Sequence, residues 1–204
     1  MTSFSETYLR ETAAVVAALD PEAVERVALG LRRVRDGGGR LFVLGVGGSA
    51  ANAGHAVNDF RKLCGFEAYA PTDNVAELTA RVNDEGWDTA LAGWLRGSRL
   101  RRGDGLLVLS VGGGSRDVGL SVCIVTALEL ARAVDARVYG IVGRDGGATG
   151  RDADAVVVVP PLFSERVTPH TEAACAVVWH LLVSHPALQV VSARWESALG
   201  GVAR

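Results

Sequence analysis

His55 and Asp59 stand four residues apart in one alanine-rich stretch, and Glu172 and His180 stand eight apart in another. At about 3.6 residues per helical turn each pair shares one side of its helix, Glu172 and His180 lying within ~80 degrees of each other. Two imidazoles and two carboxylates brought together suit zinc, with a coordination position left for water or a substrate oxygen. The same set suits acid–base catalysis, because histidine titrates near neutral pH and a partly buried carboxylate can be tuned towards it. For any one of these residues taken alone, the spacing favours a plainer arrangement: His55 on a helix surface, Asp59 paired with Arg61 or Lys62, and His180 hydrogen-bonded in the core.

A second group of candidates is built from serine and glycine. The apolar run Leu41–Leu44 meets Gly45, Gly47, Gly48 and Ser49, and the apolar run ending at Ser110 meets Val111, Gly112, Gly113, Gly114 and Ser115. Strand, tight glycine loop and helix in that order form an anion site, because glycine lets the backbone approach a ligand and the helix start offers free N–H groups. Neither loop carries the lysine of a P-loop, and neither has the spacing of the dinucleotide fingerprint. A small phosphorylated ligand held by the hydroxyls of Ser49, Ser110 and Ser115 and by loop amides such as those of Gly112 and Gly113 fits better. The alternative is two ordinary tight turns.

These residues need elements to place them. Two helices are expected over residues 5–19 and 21–35, the second opened by Asp20 as N-cap and Pro21, and stopped by Gly37–Gly39. Apolar strands are expected at 41–44, 105–110, 137–142 and 155–159, with a short one within 65–72. Helices are expected after the first two glycine loops and over 75–83 and 87–100, with Asn83, Asp84, Glu85 and Gly86 as the turn between the last two. A final helix is expected from Thr168 as N-cap, with Pro169 first inside, to about Ser184. Uniformly apolar strands alternating with helices imply a parallel sheet covered on both faces, an α/β fold whose ligands bind at the carboxyl ends of the strands.

Composition sets the outer limits. The chain has 204 residues, of which 49% are hydrophobic, and a formal net charge of -2. That balance gives no basic footprint for nucleic acid, and Arg99, Arg101 and Arg102 read as a solvated helix end. No apolar run approaches the roughly 20 residues of a membrane span, and Glu6 and Glu11 do not suit a signal peptide, so a cytoplasmic location is expected. Cys64, Cys123 and Cys175 are odd in number and set among apolar neighbours, which favours buried thiols.

Taken together, Gly45-Val46-Gly47-Gly48-Ser49-Ala50 with His55, Asn83-Asp84, Ser110 to Ser115, Gly143-Arg144-Asp145-Gly146-Gly147 and the helix with Glu172 and His180 resemble the phosphoheptose isomerase family of sugar isomerase (SIS) domains. The resemblance implies a single SIS domain over residues 37–204 with a five-stranded parallel sheet, N-terminal helices over 1–36, and a homotetramer with active sites at subunit interfaces. It implies conversion of sedoheptulose 7-phosphate to D-glycero-D-manno-heptose 7-phosphate through an enediol, towards activated heptoses. In that picture Ser49, Ser110, Gly112, Gly113 and Ser115 hold the phosphate, Asn83, Asp84 and Glu172 contact the sugar, and Asp59 and His180 move protons. His55, Asp59, Glu172 and His180 are the expected zinc ligands. The alternatives are a non-catalytic SIS module that binds a sugar phosphate or a protein partner, and an isomerase of another sugar phosphate.

The sequence also departs from the family pattern. Val46 stands for the usual asparagine, and Val111 and Gly112 for hydroxyl residues. Asp59 stands for a glutamate, which withdraws the carboxylate by over ~1 Å, a displacement that can cost ~100-fold in rate. Glu172 stands for a glutamine and adds a negative charge.

Overall fold

A computed structural model describes residues 2–192. Helices α1 (Phe4–Ala17) and α2 (Pro21–Asp36) precede β1 (Leu41–Leu44) and α3 (Gly48–Cys64). Then come β2 (Ala68–Tyr69), α4 (Val75–Glu85), α5 (Trp87–Gly97), β3 (Gly105–Ser110) and α6 (Val122–Ala133). The described chain ends through β4 (Arg137–Gly143), α7 (Gly147–Asp152), β5 (Ala155–Val159) and α8 (Val167–Ser184). The strands form one parallel sheet in the order β2-β1-β3-β4-β5. The order reverses between β1 and β3, so their carboxyl ends open a crevice where both glycine loops begin.

Every residue of β1 and β3 is buried, as expected for strands covered on both faces. One face is sealed by α1, α2, α3 and α8, whose Val15, Leu31, Phe60 and Trp179 pack in one cluster with Leu41 and Leu107. The other face is sealed by α5, α6 and α7, whose Leu95, Ile124 and Ala148 pack on Phe42 and Val108. Helix α2 starts as its sequence dictates, with Asp20 accepting the Glu22 N–H and Pro21 opening the helix. Both N-terminal helices belong to the same core as the sheet. Glu11 of α1 accepts from Arg166 at 2.7 and 2.8 Å and lies 3.0 Å from Nε2 of the buried His170 on α8. These partners, Arg166 first, hold its carboxyl down at about 2. The three cysteines are buried thiols, with Cys64 and Cys175 pushed up to about 12 and Cys123 to about 11 by loss of solvent.

Four local expectations are corrected. The second glycine loop does not run into a helix: Gly113 and Gly114 take φ of 67° and 83°, and Ser115 pairs with Leu120 in a short bridge, so α6 starts only at Val122. Helix α4 runs through Asn83, Asp84 and Glu85, and Gly86 at φ 83° alone makes the break, because the side chains before it have no conflict with helical backbone. Helix α8 begins at Val167 after a 3₁₀ turn at Ser164–Arg166, which puts Thr168 and Pro169 inside its first turn, where proline lacks no needed donor. The short helix α7 was not anticipated, since six residues rich in glycine carry no periodic signal. Among the described residues no helix is long and apolar enough to cross a membrane.

Candidate functional site

Helix α3 leaves β1 through Gly47, whose φ of 61° reverses the chain without a side-chain cap. The Ser49 and Ala50 amides turn back to Val46 and Gly47 carbonyls at 3.2 and 3.0 Å. Gly47 and Gly48 are exposed at this helix start, where the first N–H groups have no partner within the helix. Ser49 is buried at the base of the turn. Across the crevice the Ser110 Oγ accepts the Gly113 N–H at 3.0 Å, which shapes the second loop and leaves the hydroxyl proton to donate elsewhere. Ser115 is half-buried at the far side of the same loop.

Two turns into α3, the helix crosses α8 and the histidines meet. The imidazole rings of His55 and His180 have centroids 5.4 Å apart and stand at 90°. His55 Nε2 lies 3.8 Å from Asp59 Oδ2. His55, Asp59 and His180 each offer one ligand atom, and these atoms lie within 4.8 Å of one another. Asp59 Oδ1 accepts from Asn58 at 2.8 Å, whereas Oδ2 is the one buried side-chain oxygen among the described residues with no hydrogen-bond partner. An orphaned carboxylate oxygen is costly unless an ion, a proton or a substrate group completes it. Nδ1 of His180 lies 2.8 Å from the Ala176 carbonyl and, facing an acceptor, donates to it. Its Nε2 is therefore the lone-pair nitrogen, fixed by the partner of the other nitrogen as in metal-ligating histidines. Two imidazoles and a carboxylate with a coordination position to spare match a catalytic zinc site.

The remaining residues of the sequence-based set fall elsewhere. Glu172 is not in the three-residue group: a Cβ on Gly48 would meet its carboxylate oxygens at 2.6 Å, so the carboxylate is tucked against the glycine at the start of α3. A negative charge is favoured there by the helix dipole. Asn83 and Asp84 are exposed at the end of α4 and bonded to each other at 2.7 Å. The loop Val111–Ser121 and the Gly143–Gly147 turn interlock: Ala148 and Thr149 amides donate to the Gly114 and Gly113 carbonyls at 2.8 and 2.9 Å.

Trp179, which the sequence reading passed over, lies in the middle of the cluster. Its ring centroid is 3.5 Å from that of His180 and 4.6 Å from that of His55. Its position directly before His180 in an apolar helix was the one available signal.

Two apolar features are left uncovered. Val177, three residues before His180 on α8, and Leu181, directly after it, are 42% and 44% exposed. Helix α4 has no buried residue, and its Val75 is 68% exposed.

No protein-family model matches the chain. A phosphoheptose isomerase of Chlorobium phaeobacteroides is 36% identical over 162 residues, which cover 76% of this chain and 65% of that protein. This chain thus spans a little under two thirds of that relative. A phosphoheptose isomerase of Geobacter sulfurreducens is 34% identical over 167 residues, covering 78% of this chain and 85% of that protein. Among solved structures, the phosphoheptose isomerase from Neisseria gonorrhoeae superposes with a TM-score of 0.76 at 24% identity, over 87% of this chain and 94% of that one, which shows the shared fold.

Proposed function

Since this chain belongs to the phosphoheptose isomerase family, we propose that it converts sedoheptulose 7-phosphate to D-glycero-D-manno-heptose 7-phosphate, a ketose–aldose isomerisation on the way to activated heptoses. The observation that carries the proposal is the meeting of His55, Asp59 and His180 around a buried, unpartnered carboxylate oxygen. A module that only bound sugar phosphate would have no use for that arrangement.

The reaction opens the ketose, removes a proton from C1 to give an enediol and returns a proton to C2. Asp59 Oδ2 is the buried side-chain oxygen without a partner among the described residues, and His180 Nε2 is the ring nitrogen not turned to the Ala176 carbonyl; we assign these two atoms the proton transfers. The phosphate goes to the Ser110–Ser115 loop with help from Ser49 and the Gly47 and Gly48 amides, and Glu172 faces the sugar from beside Gly48. His55, Asp59 and His180 would hold a zinc ion, which when bound polarises the carbonyl and stabilises negative charge on the enediolate oxygens. One nitrogen lone pair cannot both bind an ion and take a proton, so the metal-loaded and metal-free forms use His180 differently.

The active form is proposed to be a homo-oligomer, a tetramer by family analogy, acting in the cytoplasm. Support comes from α4, a helix with no buried residue that carries Asn83 and Asp84, and from the apolar Val177 and Leu181 beside His180. A neighbouring subunit laid on these faces would bury them and bring polar groups to the sugar. Incubation of the purified protein with sedoheptulose 7-phosphate, with zinc and with a chelator, followed by NMR, should show the aldose signal. No aldose in either condition refutes the substrate, and conversion of a different ketose phosphate redirects it. Undiminished turnover in the chelated enzyme refutes the need for zinc.

A further inference from the structure

We infer that Trp179 is a positioning residue that sets both histidines of the site from one indole, with Asn52 locking the indole in place; the inference rests on the zinc and proton-transfer reading given above. Trp179 is 1% exposed and meets His180 nearly face to face, at 29° between planes, while it meets His55 edge-on at 61°. Adjacent helical residues do not normally face each other, so Trp179 and His180 stack only because both lean towards α3. Their partner ring His55 is on α3, so a single side chain carries the alignment across the seam between the two helices.

His55 needs such support more than His180 does. The ring of His180 is held by the Ala176 carbonyl as well as by the stack. His55 has a side chain 58% exposed, and besides the 3.8 Å approach to Asp59 its ring is restrained by the edge of Trp179. Torsions of imidazole about its last bond are broad, so an unsupported ring samples orientations that do not aim a nitrogen at the ion. The indole is fixed in turn: its Nε1–H donates to Asn52 Oδ1 at 3.4 Å, and Asn52 Nδ2 donates to the Glu172 carbonyl at 3.2 Å. Asn52 lies one turn before His55 on α3, and both of its partners are on α8. This clasp spends the only polar atom of the indole, which leaves Trp179 no chemistry of its own and a purely geometric role.

The test compares the full-length wild type with W179F, which keeps a flat ring, and W179L, which keeps apolar bulk without one. Metal-stripped proteins are titrated with zinc against a chromophoric chelator, and kcat and KM are measured separately. Outer partners of metal-ligating histidines are typically worth 10–100-fold in affinity or activity, so W179L should weaken zinc by about that factor with its circular dichroism retained, and W179F, which keeps a flat ring but loses the bond to Asn52, should lose less, ~10-fold at most. Wild-type zinc affinity in W179L overturns the inference, as does an equal loss in W179F and W179L, which would mean that the flat ring aligns nothing. Should W179L fail to fold, N52A is the second variant, with a loss of ~10-fold expected and an unchanged affinity counting against the role. If the wild type takes no zinc, the metal reading falls and Trp179 is judged on kcat, which W179L should lower at unchanged KM. Independently of zinc and turnover, the His180 imidazole protons should resonate upfield of free histidine in the wild type, through the ring current of the stacked indole, and return in W179L. Free-histidine positions in the wild type refute the stack itself.

Discussion

Replacing Asp59 by asparagine should make the metal-free protein more stable and much less active. The carboxylate is 2% exposed, one oxygen accepts from Asn58, and the other has no partner. A buried polar atom left unsatisfied costs ~1–3 kcal/mol, and more when charged. Asparagine has the same shape, keeps an oxygen for Asn58 and removes the uncompensated buried charge, so about 1 kcal/mol should be recovered. For a chain of this length that raises Tm by ~2–4 °C. Loss of a positioned proton acceptor should lower kcat ~10²–10⁴-fold. Zinc should separate the two proteins further: at 100 times its Kd a ligand stabilises by ~2.7 kcal/mol, which the wild type gains and D59N loses. Thermal melts with chelator and with zinc, beside the NMR assay, read all three effects. A Tm of chelated D59N at or below that of wild type refutes the reasoning that the free oxygen is an energetic liability kept for function. Full activity in D59N refutes its assignment as proton acceptor.

Other outcomes follow from neighbouring features. The Glu11 carboxyl is held below its ordinary value by Arg166 and His170, so its contribution to stability is present above the unfolded pKa and is lost as pH falls through about 2. E11Q should therefore melt lower than wild type at pH 7, and the gap should close between about pH 5 and pH 2; a gap independent of pH would place the effect in packing instead. In G48A the new methyl must displace the Glu172 carboxylate, which should cut turnover ~10-fold or more while circular dichroism stays native, since a misplaced active-site group costs up to ~100-fold. L181E should dissociate the oligomer in light scattering, and an unchanged mass would remove α8 from the interface.

The parts of this fold that were legible in the sequence are those fixed by local chemistry. Leu41–Leu44 and Leu106–Leu109 are apolar throughout because helices cover both faces, and Asp20-Pro21 sets the start of α2 by capping. The four-residue spacing of His55 and Asp59 correctly placed them on one face of α3. Their meeting with His180 depends on how α3 crosses α8, which no spacing within either helix encodes. The same limit explains Glu172: it shares a side of α8 with His180, yet its carboxylate lies against Gly48 and outside the histidine group, because the missing side chain at Gly48 opens a niche there. Ser115 looked like the start of a helix, but Gly113 and Gly114 adopt left-handed backbone, and the chain makes a bridged loop first. Trp179 was hidden by its own composition, one more apolar residue in an apolar helix until the rings on either side of it are seen.

The exposed helix α4 has a consequence for how the protein behaves on dilution. Its eleven residues are too few to be stable alone in water, where helices under ~12–15 residues are marginal, and within the chain it rests half-buried Glu77, Leu78, Arg81 and Val82 against its surroundings, none of them buried. In the proposed oligomer, ordering of α4, and of Asn83 and Asp84 at its end, would be coupled to the meeting of subunits. Specific activity should fall as enzyme is diluted below the dissociation constant of the subunits, and amides of α4 should exchange with deuterium faster than those of α5 in the same sample.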